Sequence, residues 1–136
     1  MARIITLDAS VLIALHSKQD QHHDWAVELF TELADFEWSM SALTFAEVLV
    51  HPIRAGIEDK FQLSLKNLNI VVSGLMPDGA GELAKVRANT GVKMPDAVVI
   101  HQALTSNAQI ATTDQGLAKA ASKLGIEVLH PSSRLA

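Results

Sequence analysis

Four carboxylates stand alone in apolar stretches of this 136-residue chain. Asp8 is the one charged residue between Ile4 and Ser17, and Glu47 the one between Trp38 and Ile53. Asp96 has no charged neighbour from Met94 to Thr113, and Asp114 has none from Ala97 to Ala118 other than itself. Removing a carboxylate from water without a partner is costly, so each needs a reason to be there. Two reasons compete. Asp8, Asp96 and Asp114 each stand where a helix begins, and Asp is favoured as an N-cap or in a first turn. Alternatively, all four acids converge on one divalent cation. Glu47 separates the two readings, because it falls mid-helix among Leu43, Phe45, Ala46, Val48, Leu49 and Val50, beyond the reach of a helix-start dipole. Convergence therefore explains all four acids, and capping explains three.

A carboxylate cluster with no cysteine and no paired histidine selects a hard cation, Mg²⁺ or Mn²⁺, which prefers oxygen ligands. Such an ion polarises a phosphoryl oxygen and activates water for in-line attack, so the chemistry inferred is phosphodiester cleavage. Other constellations are weaker. His22 and His23 are adjacent and point apart on a helix. His16, His51, His101 and His130 lack ligand spacing to one another. Ser10 has no nucleophile-elbow pattern around it. The glycines at 79 and 81 are not followed by the Lys-Ser/Thr of a phosphate loop.

The elements that must position these acids alternate between strand and helix. Strands are expected at 3–7, 37–39, 69–72, 109–112 and 126–129. Helices are expected at about 9–16, 21–34, 42–54, 57–68, 81–89, 95–106 and 115–124, with Ser41 as an N-cap and Pro52 late in its helix. The 21–34 segment is amphipathic, with Trp25, Leu29, Phe30 and Leu33 on one face. This alternation predicts a parallel sheet flanked by helices, in a single domain spanning residues 1–136. Asp8 and Asp114 then follow strands, at the carboxyl edge where open α/β sheets bind ligands.

Composition limits the function classes. No cysteine is present, which excludes disulfides, iron–sulfur clusters and thiolate zinc sites and fits a reducing cytoplasm. No apolar run approaches the ~18 residues of a membrane span, and no basic leader opens the chain. The net charge of −4 argues against a simple nucleic-acid binder. The acids are unevenly placed, however: six fall within Asp20–Glu37, a segment without Lys or Arg. A bound cation would offset others. With two Trp, four Phe and no Tyr, base stacking is not expected to dominate nucleic-acid contacts.

The segments Leu7-Asp8-Ala9-Ser10, Ser41 to Leu49, Met94-Pro95-Asp96-Ala97 and Thr112-Thr113-Asp114 resemble, in order and spacing, the motif blocks of PIN-domain nucleases, and more narrowly VapC-type toxins of toxin–antitoxin pairs. The likeness runs from about Ile4 to Leu129. It implies a three-layer α/β/α sandwich with a mostly parallel central sheet, Mg²⁺- or Mn²⁺-dependent endoribonuclease activity on an RNA substrate, a cognate antitoxin, and commonly a homodimer. Carried over position by position, Asp8, Glu47, Asp96 and Asp114 form the acidic, metal-holding site. Asp8 and Asp96 are expected as direct ligands, while Glu47 and Asp114 act through water or on the nucleophile. Ser10 and Thr112 match small hydroxyl residues that orient an acid or a water. Thr113 stands where many relatives carry a base, and Gln115 and Gly116 provide no further acid for a second ion. Lys85, Arg87, Lys93 and Lys119 are candidates for an RNA-facing rim.

Two rivals remain at this point. A phosphoacceptor domain needs a second acid beside Asp8 and a Lys after the last strand, and Leu7-Asp8-Ala9 and Leu129-His130-Pro131 supply neither. The other is a catalytically weak binding module with the same fold, acting by sequestration of RNA or a partner.

Overall fold

The computed structural model describes residues 3–132. Five strands form one sheet: β1 (Ile4–Leu7), β2 (Glu37–Ser41), β3 (Ile70–Ser73), β4 (Gln109–Ala111) and β5 (Val128–Leu129). Their order is β3-β2-β1-β4-β5, and every neighbouring pair is parallel. Parallel strands need crossovers, and seven α-helices provide them: α1 (Ala9–His16), α2 (His23–Glu32), α3 (Ala42–Arg54), α4 (Glu58–Asn67), α5 (Ala80–Thr90), α6 (Met94–Ser106) and α7 (Gln115–Lys123).

The central strand β1 is mostly apolar and buried because both its faces are covered, whereas the edge strand β3 is largely exposed. Successive residues alternate between two cores. Ile5 and Leu7 of β1, Trp38 and Met40 of β2 and Ala111 of β4 face α1–α4, meeting Leu12, Leu29, Val48, Phe61 and Leu65. Ile110 and the half-buried Ile4 and Val128 face the opposite layer, meeting Val99, Ile100, Ala103, Leu117 and Ala121 of α6 and α7. The result is the parallel sheet flanked by helices that sequence alternation predicts, in the three-layer α/β/α arrangement that the resemblance implies, with every strand pair parallel. The Thr6 and Ser39 hydroxyls, in register on β1 and β2, meet at 3.2 Å and so satisfy each other inside it.

Most boundaries shift by a residue or two, for local reasons. Helix α2 begins at His23 rather than Gln21 because Asp20 Oδ1 accepts the His22 N–H at 2.8 Å and holds a turn there. Pro52 lies inside α3, buried, two residues before the helix ends. The loop before α5 contains a 3-10 turn over Pro77–Gly79. The last strand shortens to two residues. Among the described residues no helix is long and apolar enough to cross a membrane.

The topology creates one particular crevice. The chain runs outward from β1 through β2 to β3, then returns to the other side of β1 as β4. The carboxyl ends of β1 and β4 therefore diverge into helices on opposite layers, and a gap opens between them.

Candidate acidic site

Asp8 and Asp114 occupy the two sides of that gap. Each caps the helix that follows its strand. Asp8 Oδ1 accepts the Ala9 N–H at 2.9 Å, and Asp114 Oδ1 accepts the Leu117 N–H at 3.0 Å. Capping thus accounts for one oxygen of each acid, and a carboxylate has a second.

Ser10 and Thr112 connect the two acids. Ser10 Oγ accepts the Thr113 N–H at 3.0 Å, and Thr112 Oγ1 accepts the Asp114 N–H at 3.0 Å. Each hydroxyl has one hydrogen left to give. Both give it to Asp8 Oδ2, at 2.7 Å from Ser10 and 2.8 Å from Thr112. The two hydroxyl oxygens lie 3.5 Å apart, but with both hydrogens committed to Asp8 no bond runs between them. Asp8 is thus fixed by a backbone N–H and two hydroxyls, and the Thr112–Asp114 corner is tied to it. The Asp8 N–H in turn donates to the Ala111 carbonyl at 3.0 Å.

Asp96 sits in the first turn of α6, half-buried, and Glu47 projects from the middle of α3. Together with Asp114, Lys93, Gly116 and Leu117 they line a pocket of about 460 Å³. Burial, followed by the charges of Asp8, Asp114 and Glu47, raises the Asp96 pKa to about 6, against partial relief from Lys93. Partial burial and the Asp8 charge push Glu47 upward as well. Asp8 is not part of the pocket lining, yet both carboxyls respond to it. All four sequence-nominated acids therefore share one electrostatic site. Gly116 matters sterically: a Cβ there would stand 3.3 Å from Asp114 Oδ1. Sequence reasoning treats Gly116 only as a missing acid, and no spacing rule marks it as a gap kept open.

Several expectations need adjustment. The apolar company of Glu47 does not bury it. Glu47 is exposed as a residue, and Leu43 and Val50 beside it are more than 40 % exposed. Of the four rim bases, Lys93 alone lines the pocket. The Lys85 ammonium lies 3.2 Å from Glu82 on the surface. Lys119 lies on another surface depression, with Gln115, Lys123 and His130. His101, though on the Asp96 helix, faces a separate cavity beside Leu75, Met76 and Leu83.

The donor set suits a hard divalent cation in chemistry and in charge: four carboxylates, one of them holding a proton well above the usual range because of its burial first and the charges of the others second. Among the described residues, no three of these side chains are close enough to form a ready-made coordination set.

A pH effect follows for the metal-free protein. Below about pH 4 Asp96 is protonated both folded and unfolded and costs nothing. Between about 4 and 6 the unfolded chain releases that proton while the folded one retains it, so this group's contribution to stability falls as pH rises, levelling off above about 6. The full shift would correspond to about 3 kcal/mol, and solvent screening of a partly open carboxyl reduces this to about 1 kcal/mol. Urea titrations from pH 4 to 8 are expected to show a steeper decline in wild type than in Asp96→Asn, where the raised Glu47 carboxyl remains. Parallel profiles for the two proteins would contradict the assignment.

The family model for the PIN domain matches residues 5–123. No curated protein matches in sequence. Among solved structures, FitAcB from Neisseria gonorrhoeae is similar over 93% of this chain and 97% of its own, at 20% identity and a TM-score of 0.74. Mycobacterium tuberculosis VapC20, described as a sarcin-ricin loop cleaving toxin, is similar over 85% and 94%, at 15% identity and a TM-score of 0.72. A toxin–antitoxin complex from Klebsiella pneumoniae is similar over 81% and 86%, at 20% identity and a TM-score of 0.67. At these identities the likeness is one of fold.

Proposed function

The chain belongs to the PIN-domain family, and on that premise we propose that it is a Mg²⁺- or Mn²⁺-dependent endoribonuclease, the VapC-type toxin of a type II toxin–antitoxin pair. The observation that carries this reading is the Asp96 carboxyl, held near pKa 6 by burial and by three acids from other elements. An isolated cap would not be crowded in this way. When bound, a divalent cation would supply charge neutralisation and Lewis-acid polarisation of the scissile phosphate.

The chain's own groups have separable tasks in this proposal. Asp8, immobilised by Ser10 and Thr112, and Asp96, in the first turn of α6, would hold the cation. Asp114 and Glu47, which line the pocket, would act through water and orient the attacking molecule. Lys93, at the N-terminus of α6, would offer positive charge for the RNA backbone at the pocket. A cognate antitoxin, a homodimeric assembly and a cytoplasmic location belong to the same proposal. The toxin–antitoxin complexes among the structural neighbours support the antitoxin; the homodimer rests on the resemblance, and the location on the absence of cysteine.

The test is cleavage of a panel of structured RNAs with Mg²⁺, with Mn²⁺ and with EDTA. Metal-dependent cleavage at defined positions is expected. RNA binding without cleavage under any metal would favour the sequestration module instead, and cleavage that persists in EDTA would remove the mechanism.

A further inference from the structure

Strand β5 ends against the Thr112–Asp114 corner. The Thr112 N–H donates to the Leu129 carbonyl at 3.1 Å. The next residue, His130, brings its ring to the Thr113 carbonyl, with Nε2 at 3.2 Å. The far side of the ring fixes which nitrogen carries the hydrogen. The Ser132 N–H is aimed at Nδ1 at 3.1 Å, so Nδ1 is the acceptor, with the Ser132 hydroxyl also 2.7 Å away. Nε2 therefore bears the hydrogen and donates it to Thr113.

The Thr113 carbonyl and the Asp114 N–H belong to one planar peptide unit. Thr112 Oγ1 takes the N–H end at 3.0 Å, and the His130 ring takes the carbonyl end. With both ends held, the plane cannot rotate without breaking a bond, and that plane sets the direction in which the Asp114 Cα presents its side chain. We propose that His130 is a positioning residue of the acidic pocket, acting through the Thr113–Asp114 peptide to aim the Asp114 carboxylate. Its catalytic consequence rests on the nuclease reading, while the pinned peptide does not.

Three variants test this: His130→Phe keeps a ring without the donor, His130→Gln places an amide N–H near the Nε2 position, and His130→Asn is polar but falls short. The direct readout is amide exchange at Asp114, followed by NMR in the full-length, metal-free protein. Roughly tenfold faster exchange is expected in His130→Phe and His130→Asn, with His130→Gln restoring most of the protection. Mn²⁺ affinity is expected to fall about tenfold in the same two variants, at the lower end for an outer hydrogen-bond partner of a ligand. RNA cleavage should lose kcat with KM unchanged. Wild-type exchange at Asp114 in His130→Phe would overturn the proposal. So would a His130→Gln protein as damaged as His130→Phe, since ring packing rather than the donor would then be responsible. If His130→Phe does not fold, His130→Asn against His130→Gln decides. A wild type that neither binds Mn²⁺ nor cleaves RNA would sink the functional reading, and the exchange at Asp114 would still decide the role of His130.

Discussion

Asp96→Asn is expected to reduce RNA cleavage about a thousandfold while making the metal-free protein more stable. The substitution is nearly isosteric and removes one negative charge from the most crowded carboxyl in the molecule. Losing an anionic ligand of a catalytic cation is assigned about 4 kcal/mol of transition-state stabilisation, which is roughly a thousandfold in rate. The same loss relieves burial and the repulsion from Asp8, Asp114 and Glu47, and gains about 1 kcal/mol of folding stability above pH 6. Activity and stability moving in opposite directions is the mark of a site that pays in stability for its function. Quantitative cleavage assays and urea unfolding of the same preparation check both halves. A variant that is both inactive and less stable would mean that Asp96 is a structural cap.

Asp8→Ala is expected to abolish cleavage to a similar degree with the opposite sign in stability. Asp8 accepts the Ala9 N–H and the hydroxyls of Ser10 and Thr112. Truncation removes the α1 cap and strands two hydroxyls, Thr112 being fully buried, at a combined cost of about 2–3 kcal/mol. Asn at this position is only a partial remedy: its single carbonyl oxygen can serve either the Ala9 N–H or the two hydroxyls, and its NH₂ group faces the other donors. The order of stability in metal-free protein is therefore expected as Asp96→Asn, wild type, Asp8→Asn, Asp8→Ala. Thermal unfolding of the four proteins at pH 7 measures it. An Asp8→Ala protein as stable as wild type would mean that the carboxylate does not hold the Thr112–Asp114 corner.

Much of the fold is legible in the residues because the signals are local. Ser41 caps α3 through the Thr44 N–H at 3.0 Å, Gly91 ends α5 with a φ of +71° that other residues rarely adopt, and the short, mostly apolar segments at 4–7 and 109–111 mark largely buried strands. Strand order is not local. Nothing in the composition of β4 states that it pairs with β1 rather than β3, yet that pairing brings Asp114 beside Asp8. The resemblance to PIN-domain nucleases bridges that gap in the sequence analysis, and spacing alone does not.

The site shows the same division. The isolation of the acids in apolar sequence identifies which carboxylates to watch, but not why each is tolerated. Glu47 is a clear case: its neighbours Leu43 and Val50 are themselves exposed, so apolar company in a helix does not imply burial. Gly116 and His130 carry no motif at all. The first matters because a Cβ would crowd Asp114 Oδ1, the second because the register of β5 delivers it to the Thr113 carbonyl. The first is a contact within the opening turn of α7, and the second exists only after the sheet has assembled.

The account depends on acids from four separate elements acting on one cation, and a Mn²⁺ titration followed by thermal unfolding tests that most directly. At 100 times its dissociation constant, an ion bound only by the folded state adds about 2.7 kcal/mol, a rise of roughly 10 °C for a chain of this size. Wild type is predicted to show that rise, while Asp96→Asn, starting from the higher metal-free melting temperature, shows little or none, so that the order of the two proteins inverts on adding Mn²⁺. Equal shifts in both proteins, or no shift in wild type at any Mn²⁺ concentration, would contradict it.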